Sequence, residues 1–307
     1  MSILIHLNQA DPLLLESHLK AHSDCPDLRI WPDCGNMDDI DCIIVWKHDP
    51  GILNQFANLK LIASYGAGVE NILSDPDLPQ GVPITRFVDD TLADQMAEYM
   101  LAVILNHRLH ITYYRELQAA SQWRPTEFSH AKNVTILGMG ELGSVSAKLL
   151  NQNGYTVSGW SRSPKNIEDI TSYYGDDQLE DAVKNADYIL CLLPLTPQTT
   201  NILNKDLFKA AKLGAYLINA GRGDHLNEDD LLEALYNGQL SGATLDVFKS
   251  EPLPSDHVFW RHPKIYITPH ISSPTDKVQV ARQILDNYAR MKKGEALINQ
   301  VDPKRSY

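Results

Sequence analysis

Short apolar runs alternate along this chain with stretches whose apolar positions recur every three or four residues. Residues 3–7, 42–46, 61–64 and 82–86 read as strands, with a helix over 12–20. A second series begins with a strand at 134–137 and helical sequence over 142–150. It resumes as strands at 156–160, 188–193, 215–219, 242–247 and 265–268. This alternation predicts parallel sheets with helices on both faces, because each parallel pair needs a crossover and the crossover helices cover the sheet. Met96, Met100, Val103, Ile104 and Leu109 fall at helical spacing, so 91–118 reads as one long helix linking the two series.

The strand at 134–137 leads into Gly138-Met139-Gly140-Glu141-Leu142-Gly143, which opens the next helix. A lone G-x-G-x-x-G is a weak signal, but strand before and helix after are the context that gives it meaning. The first glycine permits a tight turn, the second lets backbone approach a pyrophosphate, and the third lets helix and strand pack closely. The helix start then offers free N–H groups to the phosphates. About 20 residues on, NAD sites usually carry an acid for the ribose hydroxyls. Here the strand runs out as Gly159-Trp160-Ser161-Arg162-Ser163-Pro164-Lys165. An acid would repel a 2′-phosphate, whereas a hydroxyl with Arg162 and Lys165 suits one. The expected cofactor is therefore NADPH/NADP, with NADH weaker.

Three further segments carry chemistry: Asn219-Ala220-Gly221-Arg222-Gly223, Leu245-Asp246-Val247-Phe248 followed by Glu251-Pro252-Leu253-Pro254, and Thr268-Pro269-His270. Arg222, Glu251 and His270 each follow a predicted parallel strand, where open α/β sheets place their ligands. Arg222 offers a planar fork for a carboxylate. His270 can give a proton to a developing alkoxide. Glu251, on the far ring nitrogen, would orient the imidazole and favour its charged form.

Composition narrows the partners. Of 307 residues, 43% are hydrophobic and 21% charged, enough for full cores. The net charge of −12 argues against a general nucleic-acid binder. The first apolar run is too short for a membrane segment or signal peptide and has no basic leader. Cys25, Cys34, Cys42 and Cys191 include no Cys-x-x-Cys pair, which suits reduced thiols in a cytoplasmic protein; no metal site is expected.

Together these motifs resemble the signatures of the D-2-hydroxyacid dehydrogenase family, and Ser64-Tyr65-Gly66-Ala67-Gly68-Val69-Glu70 resembles its substrate loop. Gln300-Val301-Asp302 and the closing Arg305-Ser306-Tyr307 look most like the bacterial glyoxylate/hydroxypyruvate reductase A group. The resemblance implies two doubly wound domains: a Rossmann NADP-binding domain, 97–274, inserted into a flavodoxin-like substrate domain, 1–96 with 275–307. It implies a homodimer, and reduction of small 2-keto acids, glyoxylate to glycolate and hydroxypyruvate to D-glycerate. Arg222, Glu251 and His270 would be the catalytic trio. Backbone N–H groups of Ala67, Gly68 and Val69 would hold the substrate carboxylate, beside Tyr65 and Gly66. Asp246 would meet the nicotinamide carboxamide. Ser161, Arg162, Ser163, Lys165, Leu193, Pro194, Ala220 and Gly221 would line the cofactor with the glycine loop. Trp46 is a candidate wall of the substrate pocket, and Trp123 a candidate dimer contact. The alternatives left open are an NAD-dependent D-lactate or related dehydrogenase and a catalytically weak NAD(P)(H)-sensing regulator.

Overall fold

The computed structural model describes residues 2–8 and 10–302, so Arg305, Ser306 and Tyr307 lie outside the described residues. The chain divides into two compact units, Met1–Asp89 with Thr275–Tyr307, and Asp90–Pro274.

The first unit holds a parallel sheet of β1 (Ser2–Leu7), β2 (Asp27–Ile30), β3 (Ile40–Trp46), β4 (Leu61–Ser64) and β5 (Ile84–Thr85), in the order β2-β1-β3-β4-β5. This is the flavodoxin-type order. β1 and β3 are buried almost throughout, which is why they read as apolar runs interrupted only by Ser2, His6 and Asp41. α1 (Pro12–Lys20) and the short α2 (Glu70–Leu73) follow β1 and β4.

The second unit begins with α3 (Asp90–Arg108) and α4 (Ile111–Ala119). Its sheet contains β6 (Asn133–Leu137), β7 (Thr156–Ser161), β8 (Thr171–Tyr174), β9 (Tyr188–Cys191), β10 (Ala215–Asn219), β11 (Leu240–Leu245) and β12 (Ile265–Ile267). The order β12-β11-β10-β9-β6-β7-β8 is a dinucleotide-type doubly wound sheet extended by one strand, reversing direction between β6 and β9. α5 (Glu141–Gln152), α6 (Leu179–Val183), α7 (Lys205–Ala210) and α8 (Glu228–Tyr236) lie between its strands in the chain. α9 (Lys277–Lys293) belongs to the first unit and packs beside α1. Asp276 caps it, and its buried face is Val280, Ala281, Ile284, Asn287 and Tyr288. The Tyr288 hydroxyl reaches Asp41 at 3.0 Å, and the Val301 N–H reaches the Ile84 carbonyl at 2.8 Å, which fastens the returning segment to the first sheet.

Two readings change. The single helix over 91–118 is two helices, because His110 takes a left-handed conformation at φ +57°. The division between units falls at Asp89/Asp90, ahead of 96/97, since α3 lies wholly within the second unit.

His107, near the end of α3, stacks on Tyr216 at 4.0 Å and meets the Tyr188 hydroxyl at 3.1 Å. Burial, with His110 nearby, pushes its pKa down to about 4. The unfolded chain therefore takes up the proton first as pH falls. His107's contribution is whole above its usual value near 6.5 and is lost toward pH 4. Between pH 7 and pH 5 this residue alone should cost about 2 kcal/mol of stability. Urea unfolding at the two pH values should show a smaller drop for His107→Gln. An identical drop in both proteins would refute the assignment.

Candidate active site

The glycine loop has a separate steric reason at each position. Gly138 sits at φ +108°, and a Cβ there would lie 2.6 Å from the Leu192 carbonyl oxygen. A Cβ at Gly143 would collide with the Gly138 carbonyl. Gly140 differs, because a Cβ there would meet nothing within 4 Å. No protein atom requires glycine at 140, so the open space beside its backbone fits an approaching pyrophosphate. Met139 is buried and its side chain packs on Gly159, while Glu141 is exposed at the start of α5. Leu142 is half-buried.

At the end of β7, Ser161 is buried and its hydroxyl donates to the Ser163 carbonyl at 2.8 Å. It shapes the turn on which Arg162, Ser163 and Lys165 stand exposed. The Lys165 N–H is tied to Ser172 Oγ at 3.2 Å. After β9, Leu193 is buried and Pro194 exposed.

β10 ends in Asn219, which is fully buried. Its side chain accepts the Gly221 N–H at 3.2 Å and donates to the Arg222 carbonyl at 3.1 Å, folding the turn. Ala220 and Gly221 are buried and Arg222 is half-buried. One arm of its guanidinium, Nη1, donates to the Gly221 carbonyl at 2.8 Å. Gly223 must be glycine, since a Cβ there would run into the backbone of Phe248 and Lys249. That close approach brings the Arg222 turn against the segment leading to Glu251.

Glu251 Oε2 lies 2.9 Å from His270 Nδ1, and Oε1 accepts the Phe248 N–H at 3.0 Å. An ionised carboxylate can only accept, so Nδ1 carries a proton and Nε2 is left for a ligand. His270 itself is exposed and sits at φ +55°, a left-handed conformation uncommon outside glycine, although histidine is among the residues that adopt it most readily. Its N–H donates to the Asp246 carbonyl at 2.8 Å.

Asp246 has no exposed surface. Its carboxylate accepts the Thr268 hydroxyl at 2.6 Å, the Ile271 N–H at 2.9 Å and the Ser272 N–H at 3.0 Å. Because the Thr268 proton goes to Asp246, Tyr99 on α3 is the donor in the 2.7 Å contact with Thr268. The carboxylate expected at the nicotinamide thus organises the loop that carries His270. Thr268 stands in the Thr268-Pro269-His270 motif, whereas Tyr99 is in none of the motifs. Tyr99 lies 169 positions from its partner, so no local pattern announces it.

In the first unit, Ser64 fastens the loop after β4 by donating to the Gly68 carbonyl at 2.8 Å. A Cβ at Gly66 would lie 2.6 Å from the Trp46 ring, so glycine there makes room for the indole. Trp46 also meets Tyr65 edge-on, centroids 6.4 Å apart. Ala67 is exposed, Gly68 half-buried and Val69 buried. Among the described residues, no hydrogen bond uses the N–H groups of these three.

The family model for the NAD binding domain of D-isomer specific 2-hydroxyacid dehydrogenases matches residues 101–272. The chain is 41% identical over 287 residues to the glyoxylate/hydroxypyruvate reductase A of Serratia proteamaculans, covering 91% of each chain. It is 39% identical over 298 residues to that of Yersinia enterocolitica, covering 95% of each. Among solved structures, the NADPH-dependent glyoxylate/hydroxypyruvate reductase of Sinorhizobium meliloti, in complex with NADP and sulfate, matches with a TM-score of 0.91. Identity there is 34%, over 100% of this chain and 99% of that one. A family member from Xanthobacter autotrophicus, in complex with NADPH and MES, matches with a TM-score of 0.90 at 33% identity, over 100% and 99%. With the fold, the glycine loop and these similarities in agreement, the chain belongs to the D-isomer specific 2-hydroxyacid dehydrogenase family.

Proposed function

We propose that the protein is an NADPH-dependent reductase of small 2-keto acids, turning glyoxylate into glycolate and hydroxypyruvate into D-glycerate. The observation that carries the reading is the Glu251–His270 pair, which fixes one ring proton and turns Nε2 outward. A bound dihydronicotinamide would supply the hydride. Arg222 binds the keto acid carboxylate and polarises its carbonyl. The N–H groups of Ala67, Gly68 and Val69 hold the carboxylate, a use of convergent backbone donors that suits an anion. Trp46 and Tyr65 limit the side chain accepted. His270 gives its Nε2 proton to the alkoxide forming at C2, and Glu251 keeps the ring in the productive tautomer.

In this reading 275–307 completes the substrate-binding unit and the Asp90–Pro274 unit holds the cofactor. NADPH/NADP is the cofactor because Ser161 stands where an acid would exclude the 2′-phosphate, with Arg162 and Lys165 on the same exposed turn. A homodimer is the proposed assembly. In support, Trp123 is 97% exposed, and Ile111, Tyr113 and Phe128 nearby in the chain are also exposed apolar surface. The cytoplasm is the proposed location. Among the described residues, no helix is long and apolar enough to cross a membrane.

The test is cofactor choice. kcat/KM with NADPH should exceed that with NADH by at least about tenfold, about 1.4 kcal/mol of discrimination. Arg162→Ala should raise KM for NADPH more than for NADH. Equal efficiency with both cofactors in the unmodified protein would overturn the NADPH assignment.

A further inference from the structure

His225 ends the single turn Gly223–His225 after β10 and has no exposed surface. Its Nδ1 receives the Arg222 N–H at 3.0 Å. A ring nitrogen that accepts carries no proton, so the proton of the neutral ring is on Nε2. Nε2 lies 3.3 Å from the Pro194 carbonyl and donates to it. The Cys191 thiol is 3.7 Å from Nδ1. Burial pushes that thiol's pKa up to about 12, so it stays an S–H and is a second donor toward the same nitrogen. The slot around the ring is tight. A Cβ at Gly221 would lie 2.9 Å from Nδ1 and 3.2 Å from the Leu193 carbonyl. Glycine at 221 is therefore required by the ring, and the ring joins the loop after β9 to the turn after β10.

We propose that His225 is a positioning residue for the reaction: its neutral, Nε2-protonated ring clamps the backbone of Arg222 to the Pro194 loop. The inference rests on the roles proposed above for Arg222 with the keto acid and for Pro194 with the cofactor. The arginine that grips the substrate and the loop that faces the cofactor are then set by one side chain. The two contacts are unequal. The Arg222 contact is shorter, and a buried N–H without an acceptor costs more than a carbonyl without a donor. A protonated His225 could not accept the Arg222 N–H, so the clamp exists only in one charge state and one tautomer. The spacing is a usable sequence signal, because His225 stands three residues after Arg222, where an N3 side chain reaches back to its own cap.

Two substitutions separate the contacts. In His225→Asn the side-chain oxygen can occupy the place of Nδ1 and accept the Arg222 N–H, while the Pro194 contact is lost. In His225→Gln the terminal amide can occupy the place of Nε2 and donate to Pro194, while the Arg222 N–H is stranded. His225→Gln should lower kcat/KM for glyoxylate at least about thirtyfold, and His225→Asn no more than about fivefold. NADPH affinity, read by fluorescence titration, should rank the other way, with His225→Asn the weaker binder. Similar melting temperatures would show that folding does not explain the split. Equal losses in both variants, or His225→Gln the milder in turnover, would overturn the proposal. A measurement without substrate separates it from the keto acid reading. In the 15N-histidine-labelled protein at pH 7, the resonance pair missing from His225→Asn should show a protonated Nε2 and a bare Nδ1. An Nδ1–H tautomer or an imidazolium would overturn the clamp whatever the substrate. Absence of turnover with the predicted tautomer present would reject the substrate reading alone.

Discussion

Replacing His270 with alanine should lower kcat for glyoxylate reduction by on the order of 10³, within the range that a positioned general acid supplies. Hydride arriving at C2 leaves an alkoxide, and Nε2 of His270 is the donor proposed for it. NADPH affinity should stay within a few fold, because the glycine loop and the Ser161 turn are untouched. Glu251→Gln should cost less, roughly ten- to a hundredfold in kcat. Its carboxylate accepts from His270 Nδ1 and from the Phe248 N–H. A glutamine has one oxygen and one NH2, so one of those donors must face another donor. Either the Phe248 N–H is stranded, or the ring turns to the tautomer with its Nδ1 bare. Single-turnover kinetics with NADPH-loaded protein would measure both effects. A His270→Ala variant with near-normal kcat would remove His270 from the chemistry.

The second large effect belongs to Arg222. Arg222→Lys keeps the charge but loses the planar fork, and should lower kcat/KM by on the order of 10² or more. Both KM and kcat should suffer, since the same group binds the carboxylate and stabilises the developing oxyanion. The native guanidinium is also braced by the Gly221 carbonyl at 2.8 Å, a contact that fixes its plane. A lysine making that contact has no second nitrogen for the substrate. Fluorescence titration should find NADPH binding changed by no more than a few fold. A lysine variant with ordinary kinetics would mean that Arg222 only supports the turn.

Much of this architecture is legible in the chain because burial on both faces turns strands into apolar runs. β1, β3 and β6 are of that kind. β2 and β8 are not: they are edge strands of mixed polarity, half-exposed along their length, and periodicity does not separate them from loop. The break between α3 and α4 is hidden for another reason, since a left-handed residue at His110 interrupts hydrogen bonding without interrupting the apolar spacing.

The candidate site divides along the same physical line. The glycine loop, Arg222, Glu251 and His270 stand out because their chemistry is unusual at strand ends. Asp246 and Thr268 stand within the recognisable motifs, but their part in holding the His270 loop does not show there, and Tyr99 does not stand out at all. Asp246, Thr268 and Tyr99 form one hydrogen-bonded line beneath the His270 loop, and His225 joins two loops. Apart from the local His225–Arg222 contact, these depend on which buried polar groups meet across the fold, and a buried polar group needs partners that sequence distance conceals.

Reduction of short 2-keto acids is the proposed activity of this protein. Its most direct test is initial rates with NADPH against glyoxylate, hydroxypyruvate, pyruvate and phenylpyruvate at neutral pH. kcat/KM for glyoxylate and hydroxypyruvate should lie at least about tenfold above that for phenylpyruvate, a difference of about 1.4 kcal/mol in the transition state. Phenylpyruvate as the preferred substrate, or no turnover of any of the four, would contradict it.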